Sequence, residues 1–312
     1  MQIKVPGMAT SDAMLHDGGN TVRAWRVMAI NPGSTSTKLS FFHGEREFLH
    51  HSIAHEAEDL KPFKRVTEQS GLRMSLIRRC LDDAGVDVGS ADAVIGRGGL
   101  LRPIPSGVYL VNDEMLKDLT ANRFGEHASN LGGILAAKLA EMAGCPAFIA
   151  DPVVVDEMDE IARISGMPEI KRRSIFHALN QKSVAREVAE KIGKPYHECN
   201  FIVAHMGGGI SVGAHCRGRV VDVNNALDGD GPFAPERSGT LPSGQLVEMC
   251  FSGRHAFAEM KRKLAGSGGL VAHRGSNSFA ELKNAVSAGD ARSRSEERRV
   301  GKECRSRWSP YH

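Results

Sequence analysis

The chain has six cysteines (Cys80, Cys145, Cys199, Cys216, Cys250, Cys304) but no Cys-x-x-Cys pair, so reduced structural thiols are expected rather than disulfides or a zinc site. No apolar run approaches the roughly 20 residues needed to cross a bilayer. The opening segment lacks the apolar stretch of a signal peptide, and a cytoplasmic location is expected. Gly-x-x-x-x-Gly-Lys-Ser/Thr is absent, which argues against a P-loop enzyme. His-Glu-x-x-His is absent as well. Gly207-Gly208-Gly209 follows a strand-like run, but a second such run comes next instead of a helix. That order excludes a Rossmann site, whose pyrophosphate needs a helix N-terminus.

Strong basicity is also missing. The net charge is +3, but Ala291–His312 alone holds seven Arg or Lys against three Glu, and without this +4 the remainder sums to −1. Nucleic-acid binding is not expected. At 312 residues, 41% hydrophobic and 25% charged, the chain is an ordinary soluble protein able to bury one large core or two domains.

What is present is a repeat. Ala29-Ile-Asn-Pro-Gly-Ser-Thr-Ser-Thr-Lys38 has a counterpart 175 residues on, with Ala29, Gly33 and Ser36 falling on Ala204, Gly208 and Ser211. Each copy reads as strand, Gly/Ser turn, strand, short turn, strand (Val27–Ile30, Leu39–Phe42 and Glu47–Ile53; Phe201–Ala204, Ile210–Ala214 and Arg219–Val223). Such turns offer N–H groups and hydroxyls to an anion, and glycine allows close approach to phosphate. Around the repeats, helices are predicted at Phe63–Ala84, from about Asp113, at Leu131–Ala143 capped by Ser129 or Asn130, and at Ala178–Ile192. Others are predicted at Gln245–Phe251, Phe257–Leu264 and Phe279–Ala288, and buried strands at Ala93–Ile95, Val108–Val111 and Ala147–Ala150. The expected organisation is a disordered extension at 1–24, a first domain at 25–175, a second at 176–290 and a disordered, foreign-looking tail at 291–312.

The candidate chemistry lies at strand ends. Asn31, Ser34, Ser36 and Lys38 belong to the first turn, and His205, Gly207, Gly208 and Gly209 to the second. Arg97 and Asp151 each end a buried strand; Arg237 lies in a Gly/Pro-rich loop of the kind that often carries function. His127 and His177 are further candidates. The remaining histidines, His50, His51 and His55 among them, are expected to be exposed and inert. Two arginines, an aspartate and two anion turns with no evident nucleophile suit phosphoryl transfer, which depends on positioning and charge neutralisation. A carboxylate acceptor would be ionised at neutral pH and need no general base.

Six segments carry a resemblance to the acetate kinase/butyrate kinase family: Asn31–Lys38, Gly96-Arg-Gly-Gly-Leu-Leu-Arg-Pro-Ile-Pro-Ser-Gly107, His127–Gly133, Ala150–Val153, His205–Ser211 and Asp228–Gly239. The resemblance implies an α/β fold, the duplicated actin-like fold of acetate and sugar kinases, Hsp70 and actin, with an incomplete second domain. It implies reversible phosphorylation of butyrate by ATP with Mg²⁺. Arg97, Asp151, His177 and Arg237 would be catalytic, with Arg97 and His127 on the substrate and Asp151 at the metal. Asn31, Ser34, Ser36, Lys38, His205, Gly207, Gly208 and Gly209 would hold the nucleotide phosphates. No membrane or nucleic-acid partner is implied, and a homo-oligomer is expected of the full-length protein. The family's adenosine-binding segment and late acidic residue are not visible after Asp290, so impaired activity is expected of this chain. Acetate or propionate kinase, or a catalytically dead actin-like binding module, are the alternatives.

Overall fold

The computed structural model describes residues 14–17 and 20–290; the tail at 291–312 and the start of the extension lie outside the described residues. Within the extension, β1 (Met14–Asp17) pairs antiparallel with β2 (Asn20–Arg23), so part of a segment expected to lack regular structure is a hairpin. The chain divides into two compact units. One runs to Leu101 and includes Val108–Ala150; the other comprises Arg102–Gly107 and the chain from Asp151. The division expected after residue 175 therefore falls after Ala150.

In the first unit a six-stranded sheet is built from β3 (Arg26–Pro32), β4 (Ser36–His43), β5 (Arg46–Ala54), β6 (Ala93–Arg97), β7 (Val108–Leu110) and β8 (Ala147–Ala150). Its order is β5-β4-β3-β6-β8-β7, with β6 parallel to both β3 and β8 and the other pairs antiparallel. Period-two alternation sends Met28 and Ile30 of β3, and Leu39 and Phe41 of β4, into the core. The unit's helices are α1 (Ala57–Leu60), α2 (Ser70–Asp83), α3 (Asp113–Thr120) and α4 (Asn130–Ala143). Helix α2 begins later than predicted, because Val66–Gln69 forms a 3₁₀ turn ahead of it. Its buried positions, Arg73, Ile77 and Leu81, are four residues apart and share one face. Ser129 occupies the N-cap of α4 without a capping side-chain bond. Asn130 instead accepts from Leu100 N (2.8 Å) and donates to Gly125 O (2.9 Å), tying two loops to the helix start.

The second unit holds α5 (Ala178–Lys191) and a three-stranded sheet of β9 (Asn200–Met206), β10 (Ile210–Cys216) and β11 (Arg219–Val223), in the order β11-β10-β9. Val155, Met158, Phe176, Ala178, Val220 and Val223 form its core cluster. Helices α6 (Ser243–Phe251), α7 (Phe257–Leu264), α8 (Gly269–Arg274) and α9 (Phe279–Ser287) follow, and no strand element comes after β11 among the described residues.

The two antiparallel meanders match in strand order, and each has one register shift between its second and third strands, at Phe41/Phe42 and at Ala214/His215. The constant offset of 175 does not survive the turn, however. With Ala29 set on Ala204, its partner Ser40 would fall on His215, whereas Ala204 pairs with Val212. The second hairpin is the shorter one, so Ser36 and Ser211 are not equivalent positions.

Candidate active site

The first turn is held from beneath by a buried arginine. Gly33 N donates to Ser36 O at 2.7 Å to close it. Arg73, only 1% exposed, donates through Nη1 to Gly33 O (2.8 Å), Ser36 O (3.2 Å) and Thr37 Oγ1 (3.0 Å), and through Nη2 to Ser34 O (3.3 Å). Nε and Nη2 also reach Gln69 Oε1, at 3.2 and 2.8 Å. Among the described residues no carboxylate pairs with this cation, and burial pushes its pKa down to about 10. In a trans peptide C=O and N–H point in opposite directions. Drawing the Gly33 and Ser34 carbonyls inward therefore turns the Ser34 and Thr35 N–H groups away from the core, as an anion turn requires. Ser34 is exposed and Ser36 half-buried. Asn31 and Lys38 lie on the strands, as a cross-strand pair with both residues exposed, so both are outside the turn in which they were expected.

His55 is a correction as well. It is 6% exposed, and its Nε2 lies 2.8 Å from Thr37 Oγ1 beneath the same turn. Burial, and then the charge of Arg73, lower its pKa, favouring the neutral ring.

Arg97 ends β6 where sheet and helix meet without side chains between them. A Cβ on Gly96 would sit 2.2 Å from Gly132 O, and one on Gly132 would sit 2.0 Å from Arg97 O. Glycine at both places lets the first turn of α4 rest on the backbone of β6. Burial lowers the Arg97 pKa, yet a guanidinium stays charged, so this desolvated cation suits an anionic ligand. In the same unit His127 Nδ1 lies 2.8 Å from Ser129 Oγ and accepts from Ser129 N at 3.2 Å.

The second unit gathers a separate set. Asp151 is 5% exposed with φ of 32°, in the left-handed region that a non-glycine residue enters only under constraint. Its Oδ1 accepts from Ser106 Oγ (2.6 Å) and Gly107 N (2.8 Å), while Oδ2 forms a 3.5 Å ion pair with the half-exposed Arg186. At the second turn, a Cβ on Gly209 would meet His177 Cε1 at 3.7 Å and Arg237 Cγ at 3.8 Å, so these three residues adjoin. The rings of His177 and His205 stack with centroids 3.8 Å apart, and His205 Nδ1 lies 2.9 Å from Asn180 Oδ1. Arg237 Nε is buried with no hydrogen-bond partner among the described residues, and Nη1 makes a 3.5 Å ion pair with Glu236 Oε2. The Glu236 carboxylate stands over Gly208, and Asn277 Nδ2 donates to it at 2.6 Å.

A model of the Acetokinase family matches residues 168–297. Over 266 residues the chain is 53% identical to butyrate kinase 2 of Clostridium acetobutylicum, covering 85% of this chain and 75% of that protein. It is 51% identical to a probable butyrate kinase of Listeria innocua, covering 86% of this chain and 75% of the relative. The chain belongs to the acetokinase family. Among solved structures, acetate kinase of Porphyromonas gingivalis superposes with a TM-score of 0.67 at 18% identity, over 89% of this chain and 77% of the other. A propionate kinase from Francisella tularensis gives 0.67 at 16%, over 88% and 77%. These likenesses show the actin-like fold of acetate and sugar kinases.

Sequence reasoning missed the residues beneath the acetokinase turns. Arg73 and His55 support the first turn; Gln181, His215 and Tyr196 lie behind His177, and Glu236 flanks the second turn. Arg73 had a detectable signal, since an arginine fell on the apolar face of an otherwise periodic helix. For magnesium, no cluster of three or more His, Cys, Asp or Glu is present among the described residues. Asp151 Oδ2, whose one ion pair among the described residues is long, fits an ion held mainly by nucleotide phosphates, the usual mode for Mg²⁺. No described helix is long and apolar enough to cross a membrane.

Proposed function

We propose that the chain is a butyrate kinase, transferring the γ-phosphoryl group of ATP to the carboxylate of butyrate to give butyryl phosphate and ADP, reversibly. Similarity to butyrate kinases over most of the chain supports the substrate. The junction of Gly209, His177 and Arg237 supports the reaction type. A carboxylate oxygen forms the new P–O bond as the bond to the β,γ-bridging oxygen breaks, and ADP leaves with that electron pair. The carboxylate is ionised at neutral pH, so no general base is needed. In this reading Arg97 and His127 orient the carboxylate. Arg237, whose Nε lacks a partner among the described residues, neutralises charge gathering on the transferring group. His177 donates a hydrogen bond to that group. The turns at Ser34–Ser36 and Gly207–Gly209, with Asn31, Lys38 and His205, hold phosphate oxygens. Asp151 would hold Mg²⁺, which when bound neutralises phosphate charge. A cytoplasmic setting, where ATP is available, belongs to the same reading. Trapping of acyl phosphate as hydroxamate tests it: product should require ATP, Mg²⁺ and butyrate, and exceed that with acetate. A clear preference for acetate, or turnover of sugars instead, would overturn the assignment.

A further inference from the structure

Behind His177 a line of buried polar side chains runs from the glycine turn along one face of β10 toward its far end. His177 Nδ1 lies 2.9 Å from Ser211 Oγ; Gln181 Nε2 donates to Ser211 Oγ at 2.8 Å and to Ser211 O at 3.0 Å. Gln181 Oε1 lies 3.0 Å from His215 Nε2, and His215 Nδ1 lies 2.6 Å from Tyr196 OH. Ser211 and Gln181 are fully buried and His215 is 2% exposed.

The direction of every bond in this line follows from one fixed point. The Ser211 carbonyl can only accept, so the Gln181 amide must present its nitrogen there and its oxygen to His215. An amide oxygen only accepts, so His215 carries its proton on Nε2. Burial, and then the neighbouring Lys182 cation, hold the His215 pKa down to about 4, with Glu157 opposing more weakly, so the ring is neutral and Nδ1 is an acceptor. Tyr196, pushed up to about 12 mainly by burial, keeps its O–H and donates to Nδ1. At the other end, Ser211 Oγ receives the Gln181 N–H and, at 3.4 Å, the His177 backbone N–H. A hydroxyl has two acceptor sites and one proton, and that proton is left for His177 Nδ1.

We propose that Tyr196, His215, Gln181 and Ser211 are positioning residues whose one-way hydrogen-bond chain fixes His177 as the neutral tautomer bearing its proton on Nε2. The proposal rests on the phosphoryl-transfer reading above, which gives His177 its task; the chain supplies the donor in the correct form before substrate arrives. A ring held in one tautomer carries no reorganisation cost at the reacting step. Gly213 is part of the device, because a Cβ there would lie 2.5 Å from Gln181 Oε1.

The test is the long-range ¹H–¹⁵N spectrum of the full chain labelled with ¹⁵N-histidine, with His177 assigned by its loss in His177→Asn. The unaltered protein should show His177 and His215 neutral and protonated on Nε2 at neutral pH. Gln181→Glu presents only acceptors, so the Ser211 hydroxyl should turn to the carboxylate and His177 should move to the Nδ1–H form. Ser211→Ala should leave His177 a mixture of tautomers, and Ser211→Thr should restore the original form. If Gln181→Glu does not fold, the two Ser211 variants carry the test. In the hydroxamate assay kcat should fall roughly 10- to 100-fold in Gln181→Glu and Ser211→Ala, with KM for butyrate nearly unchanged. A proton on Nδ1 in the unaltered protein, or a tautomer unmoved by both variants, overturns the proposal. Spectra that shift as expected while kcat holds would uphold the chain and overturn the role of His177 in transfer.

Discussion

Two kinds of arginine serve this molecule, and their partners separate them. Arg73 has every donor engaged by the first turn and Gln69, so its work is structural. Arg73→Met should leave the Gly33 and Ser34 carbonyls without the donor they have here and take one partner each from Ser36 O and Thr37 Oγ1, lowering stability by roughly 3–4 kcal/mol in urea titrations. Arg97 and Arg237 are desolvated with weaker internal ties: burial lowers the Arg97 pKa, and Arg237 Nε has no partner among the described residues. Alanine at either should reduce kcat about 10²-fold or more, with little change in melting temperature. His50, exposed and bonded to Ser40 and Glu47, is the control; His50→Ala should leave the rate nearly unchanged. Residues at strand ends were legible in sequence because an arginine or aspartate closing an apolar run is conspicuous. Gln181 and His215 were not, since each is a common surface residue whose burial depends on chain distant in sequence.

Among the elements, the β6–α4 contact depends on missing side chains. Gly96→Ala should clash with the Gly132 carbonyl and destabilise the first unit by several kcal/mol, or prevent its folding. Gly71, within α2 and with nothing within 4 Å of where a Cβ would stand, makes the contrast. Gly71→Ala should raise stability by roughly 0.5–1 kcal/mol, as for glycine in a helix, and thermal melts of the pair check both signs. The strands of both meanders were readable because period-two burial shows in four or five residues. Helix α8 was not predicted: six residues between Gly268 and Gly275 are too few to show a helical period. The late start of α2 has a similar cause, since a 3₁₀ turn and an α-helix carry apolar residues at similar spacing.

At the scale of the whole molecule, the duplication shows in strand order and in matching register shifts, while the hairpin lengths differ. Sequence identity at a constant offset thus recognised the repeat and misaligned its second strand. The buried His215 makes the second unit acid-sensitive. Its pKa is about 4 when folded against 6.5 for an ordinary histidine. Below 6.5 the unfolded chain takes up a proton that the folded chain refuses, so stability falls as pH drops from 6.5 through 4 and is fully present above 6.5. The loss should be roughly 3 kcal/mol, read as a falling urea midpoint that is flatter in His215→Gln. Carboxylate phosphorylation assisted by buried cations is the central claim, and kcat for butyryl hydroxamate formation by Arg237→Ala, measured beside His50→Ala, tests it most directly. The expected result is ATP- and Mg²⁺-dependent product in His50→Ala at the unaltered rate, with a loss of about 10²-fold or more in Arg237→Ala. Equal rates in the two variants would contradict it.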